Sequence, residues 1–227
     1  MATADEQPNA ETAQPSKAPD RRTIVERRFE IIATVLLSVA ALATAFSGYQ
    51  ASLWDGAQSS DYTQASSARV QASQKHAEAN QYRLADLTVF EAYLQANADG
   101  ETDLAEFYEN RFSPAFAAAF EAWTVLDPDH PDTPRSPLGM DEYVPEPDVE
   151  AAELNARADQ RFASGEDANN YSDAFTLATL LFAMVLFFAA ISERFEHVPS
   201  RIVLLGFGGL ALVVGTIVTA TQPVTSG

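Results

Sequence analysis

AFTLATLLFAMVLFFAAIS, residues 174–192, runs for nineteen residues without an Asp, Glu, Lys, Arg or His. A helix of roughly 20 residues rises about 30 Å, the thickness of a bilayer's hydrocarbon core. Two other stretches share this character: residues 31–50, which begin IIATVLLSVAALATAF, and IVLLGFGGLALVVGTIVTATQ, residues 202–222. Their polar residues are mainly Ser and Thr, which can return a hydrogen bond to their own helix backbone. Buried core helices of a soluble protein are the competing reading, but a domain this small seldom needs three helices that are apolar on every side. The expected fold is all-α: an integral membrane protein with three transmembrane helices.

The composition takes its meaning from those spans. The 227 residues include 14 Lys+Arg and 32 Asp+Glu, a formal net charge of −18, and no cysteine. The lack of cysteine excludes disulfides, thiolate metal sites and a thiol nucleophile. The acidity excludes a general nucleic-acid binder, which needs clustered cations to displace phosphate counterions. Arg21, Arg22, Arg27 and Arg28 precede the first span, and Arg194 and Arg201 lie in the link SERFEHVPSR (192–201). The positive-inside tendency puts these segments in the cytoplasm. The N-terminus is then cytoplasmic and the C-terminus extracytoplasmic, in the plasma membrane of a prokaryote. Residues 51–173 hold seven basic residues against 24 acidic ones, a net of −17, so nearly all the excess charge lies outside. Ala43, Thr44 and Ala45 match the small-residue pattern of a signal-peptidase site, but 30 residues are a long leader, so the first span is expected to be a retained anchor. N-terminal sequencing of the mature chain checks this.

Working outward, residues 1–22 are rich in Ala, Pro, Gln and Thr and are expected to be a disordered cytoplasmic tail. Residues 23–50 form the first span with its lead-in, where Thr23 and Glu26 have capping-box spacing. Residues 51–173 form an acidic helical extracytoplasmic domain. The second span at 174–192, a cytoplasmic loop at 193–201, the third span at 202–222 and an extracytoplasmic tail at 223–227 complete the chain. Tyr49, Trp54 and Tyr171 are placed as interfacial aromatics.

Within 51–173 an alanine-rich stripe, Ala65, Ala68, Ala72, Ala79, Tyr82, Val89, Tyr93 and Ala96, follows coiled-coil-like steps of three and four, interrupted by Lys75 and Asp86. Gly100 can provide a left-handed stop. Ser113-Pro114 reads as an N-cap followed by proline at the first helical position. Phe112, Phe116, Phe120 and Trp123 recur on one helical face and read as an aromatic core rather than a ligand platform. Prolines at 128, 131, 134, 137, 145 and 147 dictate an extended connection. From Asp148 a helix with Val149, Leu154 and Phe162, supplemented by Ala152, Ala156 and Ala163, is expected to return beside the alanine stripe as an antiparallel hairpin, with Gly165 as a possible break.

Chemistry is sparse. Asp127, Asp129 and Asp132, with His130 between them, are weak candidates for a hard cation, but EF-hand spacing is absent and the alternating prolines favour a solvated acidic loop. His76, His130 and His197 lie far apart, no pair of carboxylates has acid/base spacing, and no G-x-S-x-G, P-loop or dinucleotide fingerprint occurs. No catalytic residue and no cofactor is expected. Small residues mark close helix packing: Ala40, Thr44 and Gly48 in the first span, and Gly208, Ala211, Gly215 and Thr219 in the third. These stripes suit either packing within one chain or a homo-oligomer.

The motifs SGYQASLWDGAQSSDYTQASSAR, RFSPAFAAAFEAW, SPLGMDEY and NNYSDAFTLATLLFAMVLFFAAISER resemble those of a group of uncharacterised bacterial and archaeal membrane proteins with three transmembrane helices and a helical extracytoplasmic insert. The resemblance covers roughly residues 46–194. It implies the same topology and carries no catalytic residues.

Taken together, the expectation is a non-enzymatic interaction or assembly module whose candidate partners are membrane lipid, an unknown protein and its own copies in a homo-oligomer. The rival is a subunit of an oligomeric channel or transporter, against which stands the absence of ionisable residues from all three spans. An envelope enzyme ranks third.

Overall fold

The computed structural model describes residues 21–128, 130–195 and 197–226, with the side chains of 21–26 left aside. The tail at 1–20, the Thr23–Glu26 capping pair, and the side chains of Arg21 and Arg22 therefore lie outside the described residues. Among the described residues the secondary structure is entirely helical. It comprises α1 (Arg21–Ala98), α2 (Thr102–Glu109), α3 (Pro114–Thr124), a single 3-10 turn (Pro137–Gly139), α4 (Glu146–Ser192) and α5 (Val198–Ala220). Three of these, α1, α4 and α5, are long and apolar enough to cross a membrane.

Local chemistry sets the boundaries. No proline occurs between Pro19 and Pro114, so nothing breaks α1 until Gly100, whose φ of 75° is the left-handed conformation glycine adopts without strain. There the Glu101 amide donates to the Ala96 carbonyl (2.9 Å) and the Gly100 amide to the Asn97 carbonyl (3.2 Å), the paired bonds of a Schellman stop. Ser113 caps α3 by accepting from the Phe116 amide at 3.1 Å, and Pro114 follows in the first turn. The return helix starts at Glu146, two residues earlier than the sequence suggests, because Pro147 is tolerated in a first turn that needs no amide partner. Glu146 and Asp148 favour that end electrostatically.

The chain divides into two compact units. One takes its described residues from Met1–Gln50 and Ala174–Val224, and the other is built on Ala51–Asp173. In the first, most inward-facing side chains are small, with Phe175, Phe182 and Val185 as large exceptions. Ala33, Ala189 and Leu205 form one cluster, and Ala40, Val185 and Ala211 another. Large apolar side chains on these helices, such as Ile31, Leu42, Leu180, Leu210 and Ile217, are exposed. Gly215 is buried against Phe182, where a Cβ would come within 2.8 Å of the ring. Phe182 itself is 2% exposed.

In the second unit, residues of α1 and α4 pair in opposed order. Asp55 accepts from the Ser172 hydroxyl (2.6 Å), and Gln58 Nε2 donates to Asn169 Oδ1 (2.8 Å). Further along, Arg161 Nη1 meets Asp61 Oδ1 (3.0 Å), Arg69 meets Asp159 (3.4 Å), Lys75 Nζ meets Glu150 (2.7 Å) and Arg83 meets Asp148. As numbers rise along α1 they fall along α4, the signature of helices running in opposite directions. Between the two runs lie Ala65, Ala68, Ala72 and Ala79 from α1 and Ala151, Ala158, Gly165 and Ala168 from α4, all buried.

The α4 seam differs from the sequence reading. Val149 and Phe162 are exposed, as are Ala152, Ala156 and Ala163, while Leu154 is half-buried. The helix continues through Gly165, whose missing Cβ makes room for the Tyr62 ring (2.5 Å from where a Cβ would lie). On α1 the stripe likewise departs from expectation beyond Ala79. Tyr82 is exposed and the seam passes through Asp86 and Phe90, 5% and 4% exposed.

Candidate functional site: the Asp86 cleft

Asp86 follows Ala72 and Ala79 at seven-residue steps, which is two helical turns, so the helix carries its carboxylate onto the buried face. Burying a carboxylate is costly unless its oxygens are hydrogen-bonded. Three donors meet it. The Ser113 hydroxyl donates to Oδ2 at 2.9 Å and the Tyr143 hydroxyl to the same oxygen at 2.8 Å, while the Ser113 amide approaches Oδ1 at 3.4 Å. One side chain thus joins α1, the N-cap of α3 and the segment that leads into α4. Burial, and then the adjacent Asp86 carboxylate, push the Tyr143 phenol well above its ordinary pKa, so it stays a donor.

The aromatic cluster surrounds this junction. Phe90, Phe116, Phe120 and Tyr143 form its buried part, with Tyr93, Phe112 and Trp123 packed against it. Ring centroids lie 4.8 Å apart for Phe112–Phe116 and 5.3 Å for Phe90–Phe116, mostly tilted or edge-to-face, the arrangement the ring quadrupole favours. Trp123 Nε1 donates to the Pro134 carbonyl at 2.7 Å and so fastens the proline-rich connection to α3. Burial also raises the Tyr93 pKa.

Beside Asp86 opens a cavity of about 520 Å³ lined by Tyr82, Pro114, Val144 and Val149 and by the acids Glu142 and Glu146. No Lys or Arg lines it. The Ser113 hydroxyl is already both donor to Asp86 and acceptor from Phe116, with no imidazole among its partners, so the arrangement does not form an activated nucleophile. The cleft suits an apolar ligand surface that carries a cation.

The other singled-out residues fall as follows. Asp132 is 91% exposed at its side chain, and His130 Nδ1 lies 4.0 Å from its Oδ2; Asp129 lies outside the described residues. The Asp127 carbonyl accepts from the Thr133 hydroxyl at 2.6 Å. Among the described residues no group of three His, Cys, Asp or Glu side chains is gathered for a metal. His76 meets Asp148 at 3.1 Å. Ala40 is fully buried and Thr44 half-buried, whereas Gly48 is exposed, because the inward face of α1 continues from Ala40 to Ser47. Gly208, Ala211 and Gly215 are buried within the chain and Thr219 is half-buried. Tyr49 is exposed, and the Trp54 and Tyr171 rings lie 4.8 Å apart.

Asp86, Phe90 and Tyr143 escaped the sequence reading as site residues. The seven-residue spacing of Asp86 from two alanines was the available signal; Phe90 and Tyr143 had none stronger than being aromatic. No protein-family model matches the chain, and neither a curated protein nor a solved structure is similar to it.

Proposed function

We propose that this protein is a non-enzymatic, membrane-anchored interaction module of the prokaryotic plasma membrane, which presents residues 51–173 outside the cytoplasm as an acidic helical hairpin to a basic protein partner. The observation that carries this reading is the Asp86 cleft, a cavity lined by carboxylates and apolar side chains in a unit of net charge −17. Such a surface attracts cationic partners at long range and repels anionic lipid headgroups. The apolar, outward-facing side chains of α1, α4 and α5 support the membrane anchor, since large exposed aliphatics are stable against lipid. The positive residues Arg27, Arg28, Arg194 and Arg201 support a cytoplasmic N-terminus.

The test places a photo-reactive residue at Val144 of the full chain in native membranes. A covalent protein adduct that disappears when Glu142 and Glu146 are both changed to Lys supports the reading. Absence of any adduct, or ion-selective conductance of the purified protein in liposomes, overturns it in favour of a channel subunit.

A further inference from the structure

Up to Asp86, the α1 run of the 51–173 unit spends its charges in one direction. Asp55, Asp61, Arg69, Lys75, His76 and Arg83 each engage a residue of α4. Glu78 pairs with Lys75, and Asp86 is held by Ser113 and Tyr143. Hydrogen bonds that it donates to Glu150 and then to Glu78 hold the Lys75 ammonium above its ordinary pKa, so the central cation of this ladder stays charged.

Between Ser59 and Thr88 what remains on the outer side is uncharged; the exposed Glu91, seven residues beyond Leu84, ends the strip. Thr63, Val70, Ala77 and Leu84 repeat every seven residues and are exposed, Val70 at 56% and Leu84 at 65%. Ser67 and Gln74 flank them and are exposed as well. From Ser59 to Thr88, about 45 Å of helix, no charged side chain stands on this face. Outer positions of α4 carry the exposed acids Glu153, Glu166, Asp167 and Asp173. A solvated helix face is ordinarily its charged face, so a neutral one on so acidic a unit is unexpected for a surface meant only for water.

We infer that this face is the contact through which two copies of the chain associate, α1 against α1. Charge selects the occupant. Two units of net −17 repel wherever acid meets acid, and this neutral strip is where they can touch without bringing like charges together. A basic partner is drawn instead to the acidic cleft and the exposed acids of α4. Copies anchored in one membrane share one orientation, a step that rests on the membrane reading above. Their α1 helices then run parallel, and two-fold symmetry sets each heptad residue opposite its own counterpart, Val70 to Val70 and Gln74 to Gln74.

The absence of cysteine makes the test clean, because an introduced thiol is the only one present. Val70→Cys and Ala77→Cys, each in the full chain in native membranes, are treated with a short bis-maleimide beside Ala156→Cys and Ala163→Cys on α4. The expected result is a cross-linked species of twice the chain mass from the α1 positions and at least tenfold less from the α4 positions. Adding Val70→Glu and Leu84→Glu to Ala77→Cys is expected to reduce the doubled species at least tenfold. Equal cross-linking from both helices, a hetero-adduct in place of the doubled mass, or indifference to the two glutamates overturns the inference. Alkali washing separates the two readings: a chain that washes out of the membrane defeats the anchor, whereas one that stays without cross-linking at Val70 and Ala77 defeats the interface.

Discussion

In the unit drawn from Met1–Gln50 and Ala174–Val224, the side chains that pack inward are mostly small, Ala33, Ala40, Gly208 and Gly215 among them, with Phe175 and Phe182 as large exceptions, and those facing outward include Ile31, Leu42, Leu180 and Leu210. In Ala51–Asp173 the seam alanines are just as small, but the large side chains Phe90, Phe116 and Phe120 are gathered inward and the outer positions are mostly polar. The same helix-forming chemistry therefore answers two solvents. Against lipid, large aliphatics gain nothing by burial and small residues win the interior because they let backbones approach. Against water, burying an aromatic removes apolar surface from solvent at about 25 cal/mol per Å², and the alanine seam alone contributes little.

That contrast breaks first at the aromatic cluster. Phe116→Ala, at a fully buried ring, is expected to destabilise the 51–173 unit by about 3–5 kcal/mol, whereas Leu42→Ala, at a residue 75% exposed, is expected to leave unfolding in lipid nearly unchanged. Denaturant unfolding followed by tryptophan fluorescence reads the first, since Trp123 packs against the cluster. Comparable losses for the two variants would mean that both units answer the same solvent.

The two tight glycines sharpen the contrast further. A Cβ at Gly215 meets the buried Phe182 ring, and one at Gly165 meets Tyr62, which is only half-buried and can swing outward. Gly215→Ala is expected to cost about 1–3 kcal/mol through overpacking. Both substitutions gain up to about 1 kcal/mol of helix propensity; at Gly165 the ring lies nearer, at 2.5 Å, and the cost is expected to be the lower one because Tyr62 has solvent to move into whereas the Phe182 ring is buried. Thermal shifts of the two variants in one detergent give the comparison, and a larger loss at Gly165 would reverse the packing argument.

Legibility follows the range of the interactions. The stop at Gly100 and the cap at Ser113 depend on residues a few positions apart, and local chemistry reveals both. The three long apolar helices follow from length and hydropathy alone. The Asp86 junction joins positions 86, 113 and 143, which no periodicity connects, and the carboxylate looks like an interruption until its donors are known. The α4 seam is hidden for a different reason. Reading by hydrophobicity favours Val149 and Phe162, but the interface is selected for closeness, which Ala151, Ala158 and Gly165 provide. Gly48 shows the converse, a small residue that lies one position off the buried face.

A smaller effect probes the junction by pH. Because burial and then Asp86 raise the Tyr143 pKa, the folded state holds that proton more tightly than the unfolded chain does. Its contribution is intact below the ordinary tyrosine value of about 10 and fades as pH climbs beyond it toward the folded-state value. Tyr143→Phe is expected to cost about 1 kcal/mol at neutral pH by removing one hydrogen bond to Asp86, and to flatten the alkaline loss. Tyr93 shifts in the same direction through burial, so the slope should diminish rather than vanish. Unfolding midpoints measured from pH 8 upward check this, and an unchanged slope would remove Tyr143 from the account.

The smallest effect concerns the ladder between α1 and α4. Arg69 and Asp159 stand 3.4 Å apart with side chains 54% and 74% exposed, so water screens the pair and both side chains lose rotamer freedom in forming it. Arg69→Met is expected to change stability by about 0.5 kcal/mol or less. Its effect should fade further near 1 M salt, where the screening length is about 3 Å. If these pairs instead held the arms together, salt would lower the unfolding midpoint of the whole chain steeply and Arg69→Met would mimic it. A nearly flat salt response in unfolding, alongside salt-sensitive capture of a basic partner, would assign the charges to direction and recognition and leave cohesion to the alanine seam and the aromatic cluster.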